Sequence, residues 1–114
     1  LSADISVLTC VANDYSYGEV FSRQISSIGK KGDLLICLST SGNSINIINA
    51  IKEAQKKDIV VICFLGKNGG EASKLVNQKI IVNSNSTARI QEIHLMLGHI
   101  VVELVEIIMG YGNK

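Results

Sequence analysis

The sequence predicts an α/β fold with a parallel sheet, and three observations carry that reading. Three short apolar runs, "LLICLS" at 34–39, "IVVICFLG" at 59–66 and "KIIVNS" at 79–84, read as strands. Each is followed by a segment of helical periodicity, and strand–helix alternation implies right-handed crossovers between parallel strands. The first run is continuously apolar, as expected of a strand covered on both faces.

Taken in order, the opening "LSADISVLTCVANDYSYG" reads as irregular and turn-rich, with "NDYSYG" a loop ending near Gly18. A helix follows, with Val20, Phe21, Ile25 and Ile28 at helical spacing and Gly29 as its C-terminal cap. "KKGD" is a turn into the first strand. Residues 41–44 offer caps for the next helix, which runs to about Lys57. Its apolar stripe is Ile45, Ile48, Ile51 and Ala54, with Glu53, Lys56 and Lys57 outside. After the second strand come the loop "KNGG" and a short helix, "EASKLVNQ". A long helix begins at Ser86 or Thr87 and continues to about Met109. Of its 15 residues from 95 to 109, 11 are Leu, Ile, Val or Met, so they surround it on most sides and it must be enclosed. Three strands and three other helices can cover one side only; the other calls for further chain or another subunit.

The 114 residues suffice for one domain and are too few for two ordinary ones. An apolar fraction of 46% with 18% charged residues suits a packed core rather than a disordered segment. A net charge of +1 gives no reason to expect attraction to nucleic acid or to an anionic membrane. The most apolar window contains His99, Glu103 and Glu106, which argues against a membrane span. Cys10, Cys37 and Cys63 form an odd set without C-x-x-C spacing, and the latter two lie in strand-like runs. That usage favours a reducing compartment, the cytoplasm. No signal peptide is visible at the N-terminus.

"STSGNS", residues 39–44, stands between the first strand and a helix. In parallel α/β sheets ligands bind outside the carboxyl ends of the strands, where loops lead into helix N-termini. The hydroxyls of Ser39, Thr40, Ser41 and Ser44, the free amides and the helix dipole favour an anion there, and Gly42 permits close backbone approach. The loop has no lysine and no G-x-x-x-x-G-K pattern, so it is not a nucleotide P-loop and suits a sugar phosphate better. A plain capped turn is the competing reading. In the long helix, Gln91 and His99 are eight residues apart, about 80° around the axis, so both can look into one cleft, whereas His94 points elsewhere. A histidine among apolar neighbours is more often a satisfied core residue than a catalytic or metal group. Asn13 and Asp14, in the loop before the first predicted helix, read as a turn or helix cap.

Together, "ANDYSYGEVFSRQ", "GDLLICLSTSGNSINIINAIKEA" and "TARIQEIHLMLGHIVVELVE" resemble the sugar isomerase (SIS) fold, and more narrowly the phosphoheptose isomerases, over essentially the whole chain. The resemblance implies a three-layer αβα sandwich with a flavodoxin-like sheet, residues 1–114 being a SIS domain without the family's N-terminal helices and first strand. It implies an aldose–ketose isomerase interconverting sedoheptulose 7-phosphate and D-glycero-D-manno-heptose 7-phosphate through an enediol. Heptose for lipopolysaccharide or capsule is the end use. By position, Ser39, Thr40, Ser41 and Ser44 would hold the phosphate, and Asn13, Asp14 and Gln91 would contact the sugar. His99 would be the catalytic histidine, and Gln91 and His99 would be zinc ligands completed by upstream residues. The family's catalytic glutamate has no counterpart here, so the chain alone is expected to be inactive. A homotetramer with sites at subunit contacts is also implied. Two rival readings within the same fold are a non-catalytic protein binding a partner such as the replication initiator, and a sugar-phosphate sensor in a transcription regulator.

Overall fold

A computed structural model describes residues 1–111. Its order is α1 (Ile5–Asp14), a 3-10 turn (Tyr17–Glu19), α2 (Ser22–Ile28), β1 (Leu34–Ser39), α3 (Ile45–Lys56), β2 (Val60–Gly66), α4 (Ala72–Leu75), β3 (Gln78–Val82) and α5 (Thr87–Ile108). The sheet is parallel throughout, in the order β1-β2-β3. The core cluster lies on one face, where Cys37, Val61, Cys63 and Leu65 meet Ile25 of α2, Ala50, Ile51 and Ala54 of α3, and Ala72 of α4. On the other face α5 packs over β2, where Phe64 approaches His94 and Gly66 meets Ile90. The three-layer αβα arrangement is therefore present.

Four expectations are corrected. The opening segment is a helix, α1, and not an irregular loop. The Asp4 side chain caps it by accepting the Val7 amide at 3.0 Å, and Val11 is buried beneath its last turn. Its short polar residues hid that stripe; Thr9, for one, returns its hydroxyl to the Ile5 carbonyl at 2.9 Å. Asn13 and Asp14 thus form the end of a helix. In α3 the buried face is Asn46, Ala50, Ile51 and Ala54, while Ile45 is 59% exposed. The helix is rotated so that its first apolar residue lies outside the core.

Lys57 is not outside either: its Nζ donates to the Ser26 and Gly29 carbonyls at 2.5 and 2.9 Å, closing the C-terminus of α2. Gly29 is that helix's cap residue as expected, though its backbone is extended, with φ of −68° and ψ of 141°, and not left-handed. Finally, β1 is covered on one face only. Leu34, Ile36 and Leu38 remain exposed on the side of α5, because that helix crosses β2 and leaves the edge strand open. Its own second half is bare as well, with only Ile90 and His94 of α5 buried.

Candidate functional site

Strand β1 delivers residues 39–44 to the carboxyl edge of the sheet, and α3 starts directly after them with Ser44 as N-cap. The loop is shaped by its own hydroxyls. Ser39, buried, accepts the Gly42 amide on its Oγ at 3.1 Å, and that oxygen lies 3.5 Å from Ser44 Oγ. Ser41 Oγ accepts the Asn43 amide at 3.1 Å. Acting as an acceptor, Ser41 keeps its hydroxyl proton available for donation, while the Ser39–Ser44 contact uses the proton of one of its two hydroxyls and leaves the other's available. Ser44 spends no side-chain bond on the first amides of α3, so the positive end of that helix is not satisfied by its cap. Hydroxyl donors beside a helix N-terminus form a place for an anion.

Gly42 is required by the architecture. It has φ of +66°, and a Cβ there would fall 2.0 Å from the Gly69 carbonyl oxygen. The neighbouring β2–α4 loop is therefore pressed against this one, a relation that sequence reading missed because the "KNGG" stretch carries no chemistry of its own. It begins with Lys67, exposed and held at φ of +55°, one residue after a glycine that lies against the Thr40 carbonyl. Lys67 thus opens the loop that abuts residues 39–44, a stretch with no cation of its own. Beyond it a groove of about 670 Å³ is lined by Lys67, Asn68, Ile81, Asn83 and Asn85.

Asn13 and Asp14 lie exposed at the end of α1. Asp14 takes Asn13 Nδ2 on one oxygen at 2.8 Å and the Cys10 thiol on the other at 3.4 Å. The Asn13 bond, with help from Cys10, holds the Asp14 carboxyl below the usual carboxylate range. The adjoining 3-10 turn is fastened to α3, since Asn49 Nδ2 donates to the Gly18 carbonyl at 3.2 Å and to Glu19 Oε1 at 3.0 Å. That clamp ties the end of α1 to the helix that leaves the 39–44 loop.

The long helix separates its candidates. Ile90 packs at Gly66, at the carboxyl end of β2, and places neighbouring Gln91 there, exposed. His94 then meets Leu65 and Phe64, so α5 runs back along the strand. His99 lies about 12 Å further along the axis than Gln91, away from the 39–44 loop, and is exposed. His94 is the satisfied core histidine. Among the described residues no three His, Cys, Asp or Glu side chains gather where they could hold a metal ion. Gln91 and His99 are two donors, fewer than the three protein ligands of a catalytic zinc centre, so a zinc held there would need further ligands.

A three-layer αβα fold on a parallel sheet, with a hydroxyl-rich loop leading into a helix at the sheet's carboxyl edge, matches the SIS domain, whose family profile aligns with residues 1–66. The chain belongs to that family. Within it, the chain is similar to phosphoheptose isomerases. It is 48% identical to that of Sulfurimonas denitrificans and 51% identical to that of Clostridium acetobutylicum, each over 106 residues. Both alignments cover 93% of this chain and 54% of the relative, so the chain spans about half the length of the curated relatives it matches. Among solved structures, the phosphoheptose isomerase of Neisseria gonorrhoeae superposes with a TM-score of 0.83 at 42% identity, covering 85% of this chain and 55% of that one. The enzyme from Francisella tularensis gives 0.83 at 33%, covering 86% and 53%.

Proposed function

We propose that this chain is part of an aldose–ketose isomerase acting on sedoheptulose 7-phosphate, with D-glycero-D-manno-heptose 7-phosphate as product. The observation that carries the reading is the 39–44 loop: oriented hydroxyls at the head of α3, on a chain with close likeness to phosphoheptose isomerases. Ser39, Thr40, Ser41 and Ser44 hold the phosphate through O–H and N–H donors, which suits a dianion better than a neutral sugar end. Asn13, Asp14 and Gln91 hydrogen-bond the sugar hydroxyls. The reaction removes a proton from the carbon next to the carbonyl and returns it to the former carbonyl carbon, passing through an enediol. In this reading His99 carries one of those protons. No carboxylate of these residues is assigned as the second carrier, and the chain by itself is expected to turn over little or no substrate.

Assembly is part of the proposal. His99 lies along α5 away from the loop of its own chain, and the outer half of α5 exposes Leu95, Met96, Ile100, Leu104 and Ile107. Copies joined through those residues as a homotetramer would bring His99 of one to the loop of another. Zinc enters only as an ion that Gln91 and His99 would share with ligands outside the described residues. Residence in the cytoplasm, and use of the product for lipopolysaccharide or capsule heptose, complete the reading. None of the helices among the described residues is long and apolar enough to cross a membrane.

Titrating the chain with sedoheptulose 7-phosphate and following its phosphorus resonance tests the cradle. The expected result is saturable binding, displaced by inorganic phosphate and weakened about tenfold or more in Ser41→Ala. No binding by the unaltered chain would sink the substrate assignment. Binding that survives Ser41→Ala and Ser44→Ala together would place the sugar phosphate elsewhere.

A further inference from the structure

Two loops leave the carboxyl edge of the sheet side by side, and they interlock. Asn43 Oδ1 accepts the Glu71 amide at 2.9 Å, across 28 residues of chain. The Ala72 amide donates to the Gly42 carbonyl, also at 2.9 Å. The contact leaves no room for side chains. A Cβ on Gly70 would fall 2.5 Å from the Ser41 carbonyl oxygen and 2.6 Å from Asn43 Oδ1, and one on Gly42 would strike the Gly69 carbonyl. All three glycines are left-handed, with φ of +66°, +84° and +54° at 42, 69 and 70. The second loop is pinned in turn, because Asn68 Oδ1 accepts the Gly70 amide at 3.2 Å and Ser73 Oγ donates to the Gly70 carbonyl at 2.8 Å.

We propose that the β2–α4 loop, residues 67–71, is a brace that sets the shape of the 39–44 loop, with Asn43 as the positioning residue that joins them. Asn43 stands among five small residues that could face a ligand, yet its acceptor is committed to backbone in the other loop. Its action on an anion is through Ser41, Gly42 and Ser44, whose donors point correctly only while the brace holds. An oriented set of donors binds an anion better than a mobile set, since less ordering is paid for on binding. This inference rests on the reading of the 39–44 loop as a phosphate site, and its structural half can be measured without any ligand.

The test compares Asn43→Ala, Asn43→Asp and Gly70→Ala with the unaltered chain in amide hydrogen exchange and in inorganic phosphate binding. Exchange at residues 41–44 and at Glu71 is expected to quicken about tenfold or more in Asn43→Ala and Gly70→Ala, while Cys63 in the core stays protected. Asn43→Asp, which keeps an acceptor oxygen, is expected to restore protection at Glu71. Phosphate affinity is expected to fall by a similar factor in Gly70→Ala, although that residue lies in the other loop. Unchanged exchange at 41–44 in both Asn43→Ala and Gly70→Ala overturns the brace. So does unchanged phosphate affinity in Gly70→Ala when the parent binds. If Asn43→Ala loses core protection as well, the Asn43→Asp comparison decides: no recovery at Glu71 rejects the Asn43 contact. If the parent chain binds no phosphate, the phosphate-site reading fails while the exchange data still judge the brace.

Discussion

His94 Nε2 lies 3.0 Å from the carbonyl oxygen of Leu65, and with His94 only 3% exposed this is a buried hydrogen bond between α5 and the central strand. It is the polar fastening of the helix that carries Gln91 and His99. Ile90 and the Phe64–His94 ring contact, with centroids 6.2 Å apart, supply the apolar part.

Replacing His94 by Ala should therefore cost stability by two routes, a cavity at Phe64 and a lost buried bond. A loss of about 2–4 kcal/mol is expected in denaturant unfolding. A change under ~0.5 kcal/mol would show that α5 does not depend on this contact. His99→Ala, at an exposed position, should leave unfolding nearly unchanged.

Gly42→Ala should be among the most damaging small changes in the chain. The new methyl would meet the Gly69 carbonyl at 2.0 Å in a left-handed backbone conformation. Strain of about 1–3 kcal/mol is expected, together with loss of sugar-phosphate binding. Gly32→Ala is the control, since it shares a positive φ of +93° but has open space around it. It should cost about 1 kcal/mol through strain alone and leave binding unchanged.

The thiols should separate by burial. Cys37 and Cys63 are in-register neighbours on β1 and β2, both in the core, and the Cys37 thiol is pushed far up by its hydrogen bond with Cys63 and by burial. Cys10 is exposed, and its hydrogen bond to Asp14, followed by that residue's charge, raises its pKa as well. A raised thiol pKa means less thiolate at a given pH. An aromatic disulfide reagent at pH 8 should thus label one thiol per folded chain, and all three after unfolding. Asp14→Asn should lower the Cys10 pKa and speed its labelling. Equal rates in both proteins would remove Asp14 as the cause.

Asp14 also gives a signed pH effect. Its folded pKa is depressed, so its contribution to stability is present above the unfolded carboxylate pKa and is lost as pH falls through the folded value. Unfolding midpoints measured between neutral and acid pH should show a smaller acid-side drop in Asp14→Asn than in the parent.

The apolar outer half of α5 should govern assembly. Ile100→Asp with Leu104→Asp is expected to shift sedimentation from an oligomer to a monomer while helical content is retained. A parent chain that sediments as a monomer at high concentration would remove the assembly part of the proposal.

The strands and the long helix were legible in the amino-acid order because they rest on local signals: unbroken apolar runs and a 3.6-residue period interrupted by Gly and Asn. The start of α5 was placed at Ser86 or Thr87, and the structure shows Ser86 as its N-cap, accepting the Arg89 amide at 3.5 Å. Helix α1 was missed for the same local reason in reverse, since Ser6, Thr9 and Asn13 read as turn formers until Val11 has a surface to bury against. The open face of β1 was missed too, because a continuous apolar run says how greasy a strand is and not which neighbours reach it.

The sequence by itself determined the α/β class, the position of a hydroxyl-rich loop ahead of α3 and the family likeness, because residue type and spacing act over one or two turns of chain. Only tertiary structure decided that His94, and not His99, is the buried histidine, and that α5 carries His99 away from the loop. It also decided that the loop is locked by Asn43 and Gly42 to a segment 28 residues on. Such contacts depend on where crossovers set strands and helices in space, which no short window of sequence contains.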